Sequence, residues 1–226
     1  MKVMILAAGR GERLRPLTDS VPKPLVEVAG QTLLGRHLQR LAQAGFTHAV
    51  INVSHLGEKI IGRFGEGGRA GLRIDWSLEA APLETAGGIA QARALLGPEP
   101  FLLLNADIWC DYELTRLRNF NLGSRLAHLV LIPNPADHAA GDFTLDGGIV
   151  GNGAAPRYTY AGIAVLSPGL TDGITAGQKA RLAPLWRAAA ASGKVTGELY
   201  EGFWSDVGTP ERLAGLEARL RDLWKV

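Results

Sequence analysis

Val3-Met4-Ile5-Leu6-Ala7-Ala8-Gly9-Arg10-Gly11-Glu12-Arg13-Leu14-Arg15-Pro16-Leu17-Thr18, with Pro22-Lys23-Pro24 close behind, begins as an apolar run and turns into glycine and arginine. The run over 3–7 reads as a buried strand. Glycines at the carboxyl end of a strand let backbone N–H groups approach phosphate oxygens with no Cβ in the way, and nearby Arg and Lys neutralise the charge. The stretch therefore reads as a polyphosphate cradle, and Ala8, Gly9, Gly11, Glu12, Arg13 and Lys23 are expected to bind the nucleotide. Proline on both sides of Lys23 fixes φ and restricts the preceding residue, so the ammonium is presented from a stiffened backbone. Spacing excludes two common phosphate loops: a dinucleotide fingerprint needs glycine where Leu14 stands, and Gly-Lys-Ser/Thr occurs nowhere. Two glycines alone would be as well explained by a surface turn; the longer pattern through Lys23 is not.

Outward from this stretch, short apolar runs alternate with amphipathic ones. The spacing predicts helices over 32–44, 57–64 and 85–96, and strands over 49–53, 72–77 and 101–104. Alternation of this kind builds a doubly wound α/β sheet. A strand over 127–132 follows, then a glycine-rich hairpin over 141–153, a long strand over 158–166, and helices over 182–191 and 210–223. No repeat or linker divides the chain, so the expectation is one domain over 1–226, with a nucleotide-binding half (1–126) and a sugar-binding half (127–226). At 226 residues, a single core can bury roughly 70% of the unfolded surface.

The charges balance to +2 and are spread along the chain, which leaves no basic stripe for nucleic acid. Cys110 is the one cysteine, so an internal disulfide and a cysteine-based metal cluster are excluded, and a cytoplasmic setting is expected. The apolar run over 3–8 is too short for a targeting segment, and no run approaches the ~18 residues of a membrane span. There is no His-Glu-x-x-His or Gly-x-Ser-x-Gly, which argues against zinc or serine hydrolysis.

Two carboxylates stand where ligands of open α/β sheets bind: Asp107, after the run 101–104, and Asp206, before the last helix. Either alone could cap a turn. Beside a triphosphate, however, each would cost about 1 kcal/mol per charge pair at 4 Å in water and several times more at an effective dielectric near 20. Two of them call for a cation between, and Mg²⁺ suits because it takes one or two carboxylates plus phosphate oxygens and water.

Gly9-x-Gly11-x-Arg13-x-x-Pro16-x-Thr18 followed by Pro22-Lys23-Pro24 resembles the signature of the sugar-phosphate nucleotidyltransferase family. The resemblance implies a Rossmann-like mixed sheet of the nucleotide-diphospho-sugar transferase type, with a small β-hairpin insertion forming the sugar side. It implies Arg13 and Lys23 on phosphates, Asp107 and Asp206 on Mg²⁺, and Lys23, Arg13 and Asp107 as the catalytic set. It places Pro82 and Gly88 against the nucleobase; an ordinary helix start using Glu84 and Thr85 reads as well. Asn105, Asp142, Asn152 and Gly162 fall where the family's sugar contacts lie.

Pro133-Asn134-Pro135, Gly141-Asp142-Phe143 and Trp204-Ser205-Asp206-Val207-Gly208-Thr209-Pro210-Glu211-Arg212 look like the branch that joins UTP to N-acetylmuramate 1-phosphate in cell-wall recycling. Mannose 1-phosphate with GTP and glucose 1-phosphate with dTTP stay open within the family, as does a non-catalytic nucleotide-sugar sensor outside it. No cation stands out for a lactyl carboxylate; Arg157 is a guess. Some relatives carry a C-terminal β-helix acyltransferase, and without one the nucleotidyl step alone is expected. The expected partners are small molecules, with no nucleic acid or membrane, and the chain is expected to be a monomer or weak homo-oligomer.

Overall fold

The computed structural model describes residues 1–67, 71–154 and 156–223. In chain order its elements are β1 (Val3–Leu6), β2 (Glu27–Val28), β3 (Gln31–Thr32), α1 (Leu33–Gln43), β4 (His48–Val53), α2 (Gly57–Phe64) and β5 (Arg73–Leu78). Then come α3 (Glu84–Gln91), α4 (Arg93–Leu96), β6 (Phe101–Asn105), β7 (Ile108–Cys110), α5 (Thr115–Arg118) and β8 (Ala127–Ile132). The rest is β9 (Phe143–Asp146), β10 (Ile149–Gly151), β11 (Arg157–Leu166), α6 (Leu182–Ala191), β12 (Val195–Leu199), β13 (Trp204–Asp206) and α7 (Pro210–Leu223).

One nine-stranded mixed sheet, in the order β5-β4-β1-β6-β11-β8-β12-β10-β9, draws strands from both halves of the sequence. β5, β4, β1 and β6 run parallel, as the alternating runs require. β11 enters antiparallel to both β6 and β8. It is bulged between Tyr160 and Ala164, where Gly162 takes φ +82°, a conformation that strains any residue with a Cβ.

Successive side chains on a strand face opposite ways, and the sheet's two cores follow that rule. Val3, Ile5, Ala49, Ile51, Leu102, Leu104, Ile163 and Val165 pack on one face with α1. Met4, Val50, Phe101, Leu103, Ala164 and Leu166 pack on the other, with residues of α3 and α6. Leu216 and Leu220 of α7 bury against Leu14, Val28, Leu33 and Trp109 in a third cluster. α1 starts at the expected cap, where the Thr32 hydroxyl accepts from the Gly35 amide at 3.1 Å.

Several elements differ from expectation, among them the short β2, β3 and α5, which the sequence reading did not include. The helix over 85–96 starts at Glu84 and is split at Ala92 into α3 and α4. β12, unread in the sequence, lies parallel to β8. A two-stranded ribbon outside the main sheet, β7 with β13, carries the segment expected to be a plain approach to the last helix. Among the described residues, no helix is long and apolar enough to cross a membrane.

Candidate active site

The carboxyl ends of β1, β4 and β6 open into a cleft of about 970 Å³, lined by the 6–13 segment, Lys23, Asn52, Glu79, Pro82, Asn105, Asp107 and Lys179 among others. The floor is set by the first loop. Gly11 takes φ +66°, and a Cβ there would lie 2.9 Å from the Thr18 methyl; the Thr18 hydroxyl in turn donates to the Gly11 carbonyl at 2.8 Å. Gly9 has open space where a Cβ would stand, so its backbone faces the cleft unobstructed. Lys23 begins a short 3₁₀ turn, closed by the Leu25 amide donating to the Pro22 carbonyl at 2.8 Å. This is the rigid presentation that the flanking prolines call for.

The carboxylates are brought together by the small ribbon. Asp206 pairs with Ile108 across β7 and β13, and the Val207 amide donates to the Asp107 carbonyl at 2.8 Å. α1 braces the ribbon: Arg40 donates to the Cys110 and Tyr112 carbonyls at 2.7 and 2.6 Å, and Arg36 lies 4.0 Å over the Trp109 ring. Lys23 donates to Asp107 at 2.7 Å, and Arg212 of α7 donates to Asp206. Burial raises the Asp206 carboxyl above the usual carboxylate range, and the negative charge of Asp107 adds to this, opposed by Lys23 and Arg13. A Cβ on Gly208 would lie 2.7 Å from Asp206 Oδ2, 3.1 Å from Arg13 and 3.2 Å from Arg212. Arg13, Lys23 and Asp107 thus line this cleft, and Asp206, which lines a smaller one, lies within electrostatic reach of all three.

This donor set fits a hard divalent cation. Two carboxylates lie near one another, Asp107 paired with Lys23 and Asp206 with Arg212. No group of three or more His, Cys, Asp and Glu side chains able to hold a metal gathers among the described residues. The protein can supply two oxygen ligands and leaves the others to phosphates and water, the pattern suited to Mg²⁺.

Other expected contacts fare differently. Pro82 lines the cleft, but Gly88 does not face it. It is buried in α3, and a Cβ there would meet Glu79 Oε1 at 2.6 Å and Asn52 Nδ2 at 2.8 Å. Nor is the start of α3 capped by Glu84 or Thr85. The Ala180 carbonyl accepts from the Ala86 and Gly87 amides at 3.0 and 3.1 Å, and Glu79 accepts from the Leu83 amide at 2.9 Å.

Asn105 lines the cleft, and Gly162 abuts it, an added Cβ falling 3.1 Å from the Asn105 Cβ. Asp142 and Asn152 are engaged in holding the hairpin. The Asp142 carboxylate accepts from the Tyr160 amide at 2.8 Å, and Asn152 donates to the Arg187 carbonyl of α6 at 2.8 Å. Arg157 donates to the Asp142 carbonyl at 2.5 Å. None of the three lines either cleft described here.

Sequence reasoning missed a buried chain that crosses the cleft wall. The Ala7 amide donates to Asn52 at 2.8 Å, and Asn52 donates to Glu79 at 2.6 Å; Glu79 then accepts from Leu83. The signal was there in principle: Asn52 interrupts an otherwise apolar buried strand, and a buried polar side chain must find a partner. A second, smaller cleft of about 310 Å³ adjoins Asp206 and is lined by Pro133, Pro135, Asp137, Glu201, Trp204 and Arg212, among others.

A mixed sheet with a glycine-arginine loop at the end of β1 and two ribbon-paired aspartates facing it defines a nucleotidyl-transferring protein. The Nucleotidyl transferase family model matches residues 2–139, and the chain belongs to that family. It is 47% identical, over 100% of both chains, to N-acetylmuramate alpha-1-phosphate uridylyltransferase of Neisseria meningitidis serogroup B. It is 31% identical to mannose-1-phosphate guanyltransferase beta-A of Xenopus laevis over 93% of this chain, and spans 62% of that protein's length. HddC from Yersinia pseudotuberculosis, solved with GMP-PN, shares the fold with a TM-score of 0.80 at 20% identity, over 97% of this chain and 99% of its own.

Proposed function

We propose that this protein transfers the uridylyl group of UTP to N-acetylmuramate 1-phosphate, releasing pyrophosphate, with Mg²⁺ as its cation. The observation that carries the reading is that Arg13, Lys23 and Asp107 line the larger cleft while Asp206, from the far end of the chain, lies close enough for the charges of all three to act on it. The full-length similarity to a uridylyltransferase supports the choice of substrates.

The sugar-phosphate oxygen forms the new bond to the α-phosphorus, and the bond to the pyrophosphate oxygen breaks. A phosphate monoester is largely ionised near pH 7, so no strong base is required. What remains is alignment and charge neutralisation, the large terms in phosphoryl chemistry. The backbone of 8–11 receives the triphosphate. Arg13 and Lys23 bind phosphate oxygens, and Lys23 leaves Asp107 to do so. Asp107 and Asp206 hold the cation, which when bound neutralises charge at the α-phosphoryl group.

A matrix of four nucleoside triphosphates against muramate, glucosamine, mannose and glucose 1-phosphates, read as pyrophosphate formed with and without Mg²⁺, tests this. UTP with N-acetylmuramate 1-phosphate is expected to give the highest kcat/KM, and only with the metal. A preference for GTP with mannose 1-phosphate would overturn it.

A further inference from the structure

The small cleft beside Asp206 has a single basic side chain among the described residues that line it, Arg212, in the first turn of α7. The guanidinium is forked between two carboxylates. One arm donates to Asp206, which belongs to the active site, and the other to Asp137. These two acids are not equivalent. The Asp206 side chain is 18% exposed, whereas that of Asp137 is 60% exposed, on a short turn with no side-chain cap of its own. Among the described residues, the Asp137 side chain is tied to the site through Arg212, and an ion pair with one partner this exposed is weak and readily exchanged.

From this asymmetry we infer that Arg212 recognises the carboxylate of an acidic sugar substrate, and that Asp137 occupies its place until that carboxylate arrives. The inference rests on the reading that the acceptor is a sugar 1-phosphate carrying a carboxylate. Three features support it. Asp137 and Glu201 give the cleft an acidic wall, so an anionic sugar can enter only against a compensating cation. The planar guanidinium can hold two carboxylates at once, one per arm, so an arm that receives the substrate carboxylate keeps it next to Asp206. Arg157, by contrast, is engaged in the hairpin and does not line this cleft.

The test uses UTP with two acceptors, N-acetylmuramate 1-phosphate and N-acetylglucosamine 1-phosphate, which differ by the lactyl group. Three variants are compared: Arg212→Gln, Arg212→Lys and Asp137→Asn. Arg212→Gln touches Asp206 and so slows both acceptors; the informative quantity is their kcat/KM ratio. That ratio should fall by about tenfold to a hundredfold, the size of a lost charge-assisted hydrogen bond to a carboxylate, and Arg212→Lys, which cannot hold two carboxylates in a planar fork, should not restore it. Asp137→Asn removes the competitor, so KM for the muramate should fall severalfold more than KM for the glucosamine.

An unchanged ratio in Arg212→Gln would overturn the inference while leaving the proposed reaction intact, with Arg212 then acting through Asp206 alone. A raised muramate KM in Asp137→Asn would make Asp137 a substrate ligand and overturn its role as a placeholder. Wild-type protein that used only neutral sugar 1-phosphates would overturn both the inference and the reading beneath it.

Discussion

The Val207 amide donates to the Asp107 carbonyl at 2.8 Å, so two carboxylates that lie ninety-nine positions apart in the chain are set side by side by backbone pairing, not by side-chain contact. Their spacing should therefore survive replacement of either side chain. Asp107→Ala and Asp206→Asn are expected to keep the wild-type circular dichroism spectrum and melting profile while kcat falls by orders of magnitude. A non-catalytic sensor would keep its ligand-dependent output in Asp107→Ala. Undiminished turnover in either variant would sink the metal assignment.

Lys23 donates to Asp107 at 2.7 Å, with 13% and 33% side-chain exposure. A partly buried pair with one partner a third exposed contributes on the order of 1 kcal/mol. Lys23→Met should thus cost little stability, but it removes a charge expected on the triphosphate, and kcat/KM should drop about a hundredfold or more. Thermal melting and pyrophosphate release on the same preparation separate the two effects; a large fall in Tm with near-normal turnover would reverse the assignment.

At Gly208 the limit is space. A methyl group there would press on Asp206 Oδ2 at 2.7 Å and on the Arg13 guanidinium at 3.1 Å. Both are side-chain ends that can shift, so Gly208→Ala should fold. A displaced carboxylate and arginine should still lower kcat by about tenfold to a hundredfold. Wild-type kcat in this variant would show that the positions of Asp206 and Arg13 are not critical.

Glu79 is 6% exposed and Asn52 4%, and together they tie the end of β1 to the start of α3. Glu79→Ala would leave the Leu83 amide and the Asn52 amide group without their acceptor, costing about 1–3 kcal/mol. Because both flank the nucleotide cleft, KM for the triphosphate should rise more than KM for the sugar. Chemical denaturation and steady-state kinetics read these separately, and equal rises in both KM values would argue against a role in shaping the nucleotide side.

His37 supplies a pH dependence. It is fully buried among Arg36, Arg40 and the Asp107–Ile108 segment; burial first, and the two arginines after it, push its pKa down from 6.5 to about 3. The folded protein therefore holds His37 neutral where the unfolded chain would protonate it. Stability from this group is complete above pH 6.5 and is lost as pH falls from there toward 3. The drop in Tm between pH 7 and pH 4.5 should be smaller in His37→Leu than in wild type, and equal drops would remove His37 as the cause.

Much of this was legible from the residues, and the reasons are physical. Buried parallel strands such as Met4–Leu6 and the run 101–104 announce themselves as uninterrupted apolar segments, and Lys23 and Asp107 stand out because prolines or a strand end fix where they point. β12 was not legible: Val-Thr-Gly-Glu-Leu carries too little apolar pattern, and it is a strand because β8 offers it a parallel edge. The β7 and β13 ribbon is three residues on each side, too short for any periodicity to register. Asp142 and Asn152 were placed on the sugar side by the family resemblance, and in the structure their side chains hydrogen-bond within the hairpin and to α6. Arg212 lay in plain view in the last motif, but only the folded chain shows what it touches.

The margins of the nine-stranded sheet are unlike. At one, β9 bonds to both β10 and β11, so the sheet curls over and leaves little edge for a foreign strand. At the other, β5 pairs with β4 alone. Arg73 and Asp75 sit on β5 in an ion pair at 2.9 Å, and His48 of β4 contacts Asp75 at 2.7 Å. Charge on an open edge disfavours strand addition by a second molecule, so crowding at high concentration should not drive this chain into extended cross-strand aggregates through its sheet.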